Sequence, residues 1–208
     1  GNDKSRRVQK KLGFRYQWRT DDVDVPLMNE HRVGHVNLMT IHDWREIYCD
    51  TNPLNEFLNE SVSKWRDRPY LHELKDGKYV SVSFSEFNRD VLALAAYLIS
   101  KGYKDKNIGI FSPNSIAWCV FDIAVMNFVG ISVGLSKEWT SENLLYALDK
   151  CDIACLFYGK ALEDKVLPVM SKFPDTEFIC IEEHWDEIIA EGWMALGRGV
   201  DIRPAYRD

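Results

Sequence analysis

Three histidines lie close together near the start of the chain, where they could begin a metal site. His31, His35 and His42 fall within twelve residues, and the first two have the i, i+4 spacing of one helix face. A zinc site needs three or four converging ligands, and neither a cysteine nor a clear third ligand accompanies this pair. We therefore interpret them as surface histidines and assign no metal ligand.

The cysteines offer thiol chemistry only if one of them is exposed and activated. There are five of them: Cys49, Cys119, Cys151, Cys155 and Cys180. Their number is odd, no pair has the C-x-x-C spacing, and three lie inside apolar runs, where cysteine behaves as a small buried hydrophobe. This usage fits a reducing, cytoplasmic location. The first thirty residues contain no apolar signal-peptide region, and the start at Gly1-Asn2 suggests a processed or engineered terminus.

Two further features have a chemical and a structural interpretation. Ser112–Ser115 lies between an apolar segment and a helical one, where backbone N–H groups either receive an anion or are capped by side chains. No glycine is present in it to let a phosphate approach, which favours capping. Asp122 interrupts an apolar helix, either as a functional carboxylate or as a partner in a polar seam. We favour the seam.

Composition limits the class of protein. The chain has 208 residues, of which 46% are hydrophobic and 28% charged, as in an ordinary globular protein. The net charge of −6 argues against nucleic acid as a partner. Residues 1–20 nevertheless carry seven Lys or Arg against one Asp. This basic arm is either a solvated tail or a contact for phosphate or membrane headgroups, so peripheral membrane contact stays open.

One segment is apolar enough to require a test for membrane insertion. In 116–135 only Asp122, Asn127 and Ser132 interrupt the apolar residues, and a spanning helix needs about twenty of them. A carboxylate near the middle of such a helix is costly, and Gly130 is typical of a helix end. We predict a helix followed by a short strand, and no transmembrane segment.

The helices and strands that we predict from the sequence begin after residue 40. Residues 1–40 show no lasting periodicity and are interpreted as an extension or linker, and 41–208 as the folded region. Apolar spacing predicts a helix over 55–65, and alternation around Asp76-Gly77 predicts a hairpin of 69–74 with 79–84. Ser83 and Glu86 form the capping box of the next helix, which ends at Gly102.

Strands and helices then alternate to the end of the chain. Short apolar segments at 107–111, 131–135, 153–158 and 177–181 are separated by helical patterns, with Asn114 and Thr140 as expected caps. The fold class is therefore α/β, a mainly parallel doubly wound sheet with helices on both faces, plus an N-terminal hairpin and extension. The inward positions predict a set of buried side chains: Leu94, Leu98, Ile110, Val120, Ile123 and Phe157.

Familiar phosphate-binding and nucleophile motifs are missing from this alternation. The chain has no P-loop, no G-x-G-x-x-G after a strand, no G-x-S-x-G and no metal quartet. Gly197-Arg198-Gly199 falls at the end of a predicted helix, so it is interpreted as a C-cap.

Several short motifs, in order, resemble the adenylate-forming (AMP-binding) superfamily, and within it the long-chain acyl-CoA synthetases. The segment 80–87 is similar to "T-Y-x-E-L", and Gly102 with the strand at 108–111 is similar to "G-[V/I]-x-x-G-D-x-V-[A/G]-[I/L]". Asn114 with Trp118 and Asp122 resembles "N-x-x-E-W-x-x-x-D-x-A". Segments 130–135 and 140–142 resemble "G-A-x-x-V-P-L" and "T-x-E-E". The resemblance covers roughly residues 50–185.

The resemblance implies a ligase in which a carboxylate, most plausibly of a fatty acid, attacks the α-phosphate of ATP to give an acyl-adenylate and pyrophosphate. A thiol, usually of coenzyme A, then takes the acyl group from the adenylate. ATP, Mg and CoA are the implied cofactors of the parent enzyme. The family's phosphate loop, magnesium-binding Glu and catalytic Lys lie beyond the matched region, so no catalytic, cofactor-binding or metal residue is assigned and the chain is expected to be an inactive N-terminal fragment.

Two alternatives stay open. A freestanding, non-catalytic scaffold or interaction domain could use the same fold. An unrelated doubly wound nucleotide-binding protein would instead bind ATP tightly on its own.

Overall fold

The computed structural model describes Arg7, Lys10 and the ranges 14–25, 30–38, 53–75 and 77–203. The chain forms two compact units, Gly1–Glu56 and Phe57–Asp208. In the first, β1 (Arg15–Val25) and β2 (Glu30–Leu38) pair antiparallel. The sequence predicted no regular element there. The pairing is irregular between Thr20 and Val23, and such a bulge disrupts the alternation by which a strand is recognised.

The histidine cluster near the start of the chain falls partly in this hairpin. His31 and His35 lie on β2, so their i, i+4 spacing belongs to a strand and not to a helix. His42 lies outside the described residues. Within the part of the chain that is described, no group of three or more side chains could hold a metal ion.

The remaining helices and strands follow in chain order: α1 (Pro53–Trp65), β3 (Pro69–Lys75), β4 (Lys78–Ser83), α2 (Phe84–Ser100), β5 (Asn107–Phe111), α3 (Ile116–Ala124), β6 (Ile131–Gly134), α4 (Ser141–Lys150), β7 (Ile153–Tyr158), α5 (Glu163–Met170), β8 (Glu177–Cys180) and α6 (Ile181–Gly197). A π-helical turn, Val125–Val129, extends α3, and a 3₁₀ turn, Lys160–Leu162, precedes α5. Strands β3 and β4 form the predicted hairpin.

The predicted parallel sheet is confirmed. Strands β5 to β8 form one four-stranded sheet in the order β6-β5-β7-β8, and every pair is parallel. Strands β5 and β7 have the predicted bounds, whereas β6 and β8 each end one residue earlier.

Helices cover both faces of this sheet. Phe157 packs in one cluster with side chains of α2, α3 and α6, while its neighbours Leu156 and Tyr158 pack in the other with α4 and α5. Successive strand residues point to opposite faces, so a strand covered on both sides must be apolar throughout. This is why β5 and β7 consist of apolar runs.

Most of the predicted core is confirmed. Leu94, Leu98, Ile110, Val120 and Phe157 are at most 1% exposed. Ile123 is only partly buried, and the prediction for it is wrong. The buried stripe of α3 runs through residues 120, 121, 124 and 125, and Ile123 lies off its edge.

The helix ends are set by local side chains. The capping box of α2 is present, since Ser83 N–H donates to Glu86 Oε2 at 2.8 Å and Glu86 N–H donates to Ser83 Oγ at 3.2 Å. Thr140 caps α4 as predicted. The cap of α3 is Ser115 and not Asn114, because the helix begins one residue later than expected. Arg198 is the C-cap of α6, and Gly199 follows with a positive φ of 82°.

The apolar segment 116–135 is not one continuous helix. The helical part of this segment ends at Gly130, and strand β6 follows. A Cβ added at Gly130 would lie 2.3 Å from the Lys106 carbonyl oxygen. Among the described residues no helix is both long and apolar enough to cross a membrane.

Candidate functional site

The connections of the sheet reverse direction at one place. The chain passes from β5 through α3 to β6 on one side, and from β6 through α4 to β7 on the other side of β5. In open α/β sheets, the crevice beyond the carboxyl ends of the strands at such a reversal is where ligands bind. Here it is formed by Ser112–Ser115 after β5 and Gly159 after β7.

These two loops are in direct contact. The Gly159 N–H donates a hydrogen bond to the Phe111 carbonyl oxygen at 3.0 Å, and a Cβ on Gly159 would lie 2.8 Å from Ser112 Oγ. Ser112 is buried, and its hydroxyl donates to the Pro113 carbonyl at 3.1 Å. Gly159 and Ser112 therefore lie in close contact at the base of the crevice.

The N-terminus of α3 opens onto the same crevice, and two of its N–H donors already bond to side chains. The Trp118 N–H donates to Ser115 Oγ at 3.0 Å, and the Ile116 N–H donates to Glu73 Oε2 at 3.0 Å. Capping is therefore the correct interpretation of Ser112–Ser115. An anion is present as well, but it is the chain's own carboxylate, supplied by strand β3. The sequence analysis missed Glu73, because nothing local links it to a helix 43 residues away.

A charged cluster lies beside Gly159. Lys160 Nζ donates to Glu163 Oε1 at 2.8 Å and to Glu183 Oε1 at 2.6 Å, and the Lys160 N–H donates to Glu182 Oε2 at 2.8 Å. The hydrogen bond from Lys160 lowers the pKa of Glu183, and the two carboxylates raise the pKa of Lys160. This lysine is engaged by carboxylates, so it offers little charge to an incoming phosphate.

Asp122 belongs to a polar seam between α3 and β6. The Ser132 hydroxyl donates to Asp122 Oδ1 at 2.6 Å. Burial raises the pKa of the nearby Cys119 thiol, and the charges of Asp122 and Glu73 raise it further. Cys119 is therefore held as a thiol and not as a nucleophilic thiolate. The other described cysteines, Cys151, Cys155 and Cys180, are also free, and Cys49 lies outside the described residues.

These residues do not fit a triphosphate or its magnesium ion. The helix N-terminus is occupied by Glu73, Lys160 is paired with carboxylates, and the described part of the chain has no set of metal-ligating side chains. Their hydrogen bonds instead join β3 to α3 and the segment after β7 to α5 and α6 at the carboxyl edge of the sheet.

Comparison with known proteins identifies the family. The chain is 25% identical over 111 residues to long-chain-fatty-acid–CoA ligase 5 of Rattus norvegicus, which is 51% of this chain and 16% of that protein. It is 24% identical over 168 residues to long-chain-fatty-acid–CoA ligase 1 of Homo sapiens, which is 77% of this chain and 24% of that protein. The chain thus spans a quarter or less of these relatives.

The fold is shared with solved ligase structures. The anthranilate CoA ligase AuaEII in complex with anthranoyl-AMP superposes with a TM-score of 0.60 at 12% identity, over 74% of this chain and 28% of that one. The AMP-binding enzyme model matches residues 58–193, which include the whole parallel sheet and most of α6. The chain belongs to the AMP-binding enzyme family.

Proposed function

We propose that this chain is the N-terminal portion of an ATP-dependent acyl-CoA ligase acting on a fatty acid. The observation that carries the proposal is the family match over residues 58–193, together with relatives that are CoA ligases for long-chain fatty acids. The complete protein would join a carboxylate and the CoA thiol with cleavage of ATP to AMP and pyrophosphate.

The role that we propose for this chain within the complete enzyme is structural. Two groups at the switch point could contact an anion, and both bind carboxylates of the chain instead. The Ile116 N–H donates to Glu73, and Lys160 pairs with Glu163 and Glu183. Such a preorganised edge holds neighbouring segments in place, and positioning is a large part of what an enzyme of this class requires. The ATP- and magnesium-binding groups would come from other parts of a longer cytoplasmic protein.

The proposal is tested by measuring pyrophosphate release with ATP, Mg and palmitate, on this 208-residue chain and on the longest natural protein that contains it. We expect release and CoA-dependent acyl transfer only by the longer protein. Turnover by the 208-residue chain alone would show that its own residues complete the active site. Inactivity of the longer protein across fatty, aromatic and short-chain acids would instead favour the non-catalytic scaffold.

A further inference from the structure

Strand β6 ends the parallel sheet on one side and is more exposed than the strands beside it. All four of its residues are exposed or half-buried, and Ile131 is 58% exposed. The central strands β5 and β7 are instead almost entirely buried. Parallel sheets are normally covered on both faces, so an exposed isoleucine in β6 marks an edge that no described residue covers.

The backbone of β6 has hydrogen-bonding groups that point away from the sheet. The N–H groups of Ile131 and Leu135 donate to backbone carbonyls of β5 and of the residue before it, at 3.1 and 2.9 Å. The backbone groups of successive strand residues point to alternate sides, so those of Ser132 and Gly134 point to the open edge. On that side they form no backbone hydrogen bond to another described residue.

The sequence of β6 contains nothing that protects this edge from pairing. Natural sheets protect an edge strand with charged side chains, proline or a bulge. Strand β6 has no charged residue and no proline, and its pairing with β5 is regular. Every other strand at the edge of a described sheet carries at least one charged residue. The β6 edge is therefore suited to pairing with an uncharged, extended strand.

Gly134 is a departure from the family pattern. The segment 133–135 is similar to V-P-L, with glycine in place of the proline. Packing does not require glycine here, because an added Cβ would meet only the Trp118 ring, at 3.7 Å, and the backbone is not left-handed. Proline has no N–H to donate to an added strand. A ligase with proline here does not use this donor, so we look for its acceptor outside the single chain.

We propose that two copies of this chain associate through β6, by antiparallel pairing of the two strands about a two-fold axis at Val133. Ser132 of one copy then lies opposite Gly134 of the other, and each such pair exchanges both N–H···O bonds. The exposed Ile131 lies opposite Leu135 of the copy, which covers it with an apolar side chain. Like charges opposite each other would destabilise such a pair, and β6 has none. This association is independent of the ligase chemistry.

Sedimentation velocity of the 208-residue chain over a series of concentrations tests the proposal. Gly134→Pro removes the outward N–H, and Gly134→Ala is the matched control that keeps it. A second pair of variants adds a charge and does not depend on proline being tolerated. Ile131→Lys places the charge in β6, and Leu167→Lys places it on α5, where the side chain is 56% exposed. Hydrogen exchange of the Ser132 and Gly134 amides is measured at low and at high protein concentration.

We expect a monomer–dimer equilibrium in the original protein, in Gly134→Ala and in Leu167→Lys, with slower exchange of both amides at high concentration. Gly134→Pro removes one donor from each copy, so its dissociation constant should rise about tenfold or more. Ile131→Lys should also weaken the dimer.

A monomer at every concentration would overturn the proposal, and so would a dimer that neither Gly134→Pro nor Ile131→Lys weakens. The same amides are then measured in the longest natural protein that contains this chain. If they are protected there while that protein is a monomer, another segment of the same chain occupies the edge, which also overturns the proposal.

Discussion

The carboxylate of Glu73 accepts a hydrogen bond from the Ile116 N–H at 3.0 Å, and so joins hairpin β3–β4 to the N-terminus of α3. The Glu73 side chain is only 20% exposed, which limits screening by water. The helix end carries partial positive charge, so a carboxylate here stabilises both the helix and the docking of the hairpin. In this chain the N-terminus of α3 is therefore bonded to the chain's own carboxylate.

Removal of this carboxylate should destabilise the protein. Glu73→Ala leaves the Ile116 N–H without its acceptor, and we expect a loss of about 1.5–3 kcal/mol in the free energy of unfolding. Glu73→Gln keeps an acceptor without the charge and should lose less. Urea denaturation measures both, with Glu138→Ala as the exposed control. Equal, small losses in all three variants would contradict the role given to Glu73.

The capping box of α2 predicts a pH dependence. Hydrogen bonds from the Ser83 backbone and then from its hydroxyl hold the pKa of Glu86 below its ordinary value. A carboxylate with a depressed pKa contributes stability at neutral pH, and this contribution is lost as the pH falls through the lowered pKa. Glu86→Gln should therefore be less stable than the original protein at pH 7, and the difference should begin to shrink below about pH 4.3 and be lost as the pH falls through the lowered pKa.

Thermal unfolding from pH 7 to pH 3 measures this difference. Glu142→Gln is the control, because Glu142 also lies in the first turn of a helix, α4, whose capping box is formed by Thr140 and Asn143. A pH-independent difference for Glu86→Gln, or the same profile in Glu142→Gln, would show that the cap does not depend on the charge of Glu86.

Elements defined by local pattern could be predicted from the sequence. The four parallel strands follow from short apolar runs between helical patterns, and the Ser83–Glu86 box and the Thr140 cap lie within four residues of the helices that they begin. Relationships between distant residues could not be predicted in this way. Glu73 and Ile116 are brought together only by the docking of the hairpin.

The exact position of a residue on its helix was also difficult to predict from the sequence. Ile123 satisfies the 3.6-residue period with Val120, yet the direction of the helix axis decides which edge of the stripe faces the sheet. For a similar reason the observed N-cap is Ser115 and the predicted one is Asn114. Both side chains can cap a helix, and the path of the chain selects one of them.

The difference in burial between Leu94 and Ile123 can be tested by truncating each side chain to alanine. Leu94 is fully buried, so Leu94→Ala should cost about 2–5 kcal/mol in the free energy of unfolding. Ile123→Ala removes a partly buried side chain and should cost less than half as much. Chemical denaturation of the two variants under the same conditions gives the comparison. A loss below about 1 kcal/mol for Leu94→Ala would show that the inward face of α2 is wrongly assigned.

The contact between α2 and α6 depends on one glycine. A Cβ on Gly192 would lie 2.0 Å from the Ala93 carbonyl oxygen. That oxygen belongs to the backbone, so no rotamer change relieves the overlap and the two helices must move apart. We expect Gly192→Ala to lower the free energy of unfolding by about 1–3 kcal/mol or more, although alanine is the better helix former.

Gly197→Ala is the matched control for this last prediction. It places the same methyl group near the end of the same helix, where no heavy atom lies within 4 Å. We expect it to be neutral or slightly stabilising, because only helix propensity changes. Urea denaturation with hydrogen exchange of the α2 and α6 amides separates the two cases. Faster exchange in both helices should accompany the loss in Gly192→Ala alone. Equal stability of the two variants would mean that the helices are not packed at backbone contact.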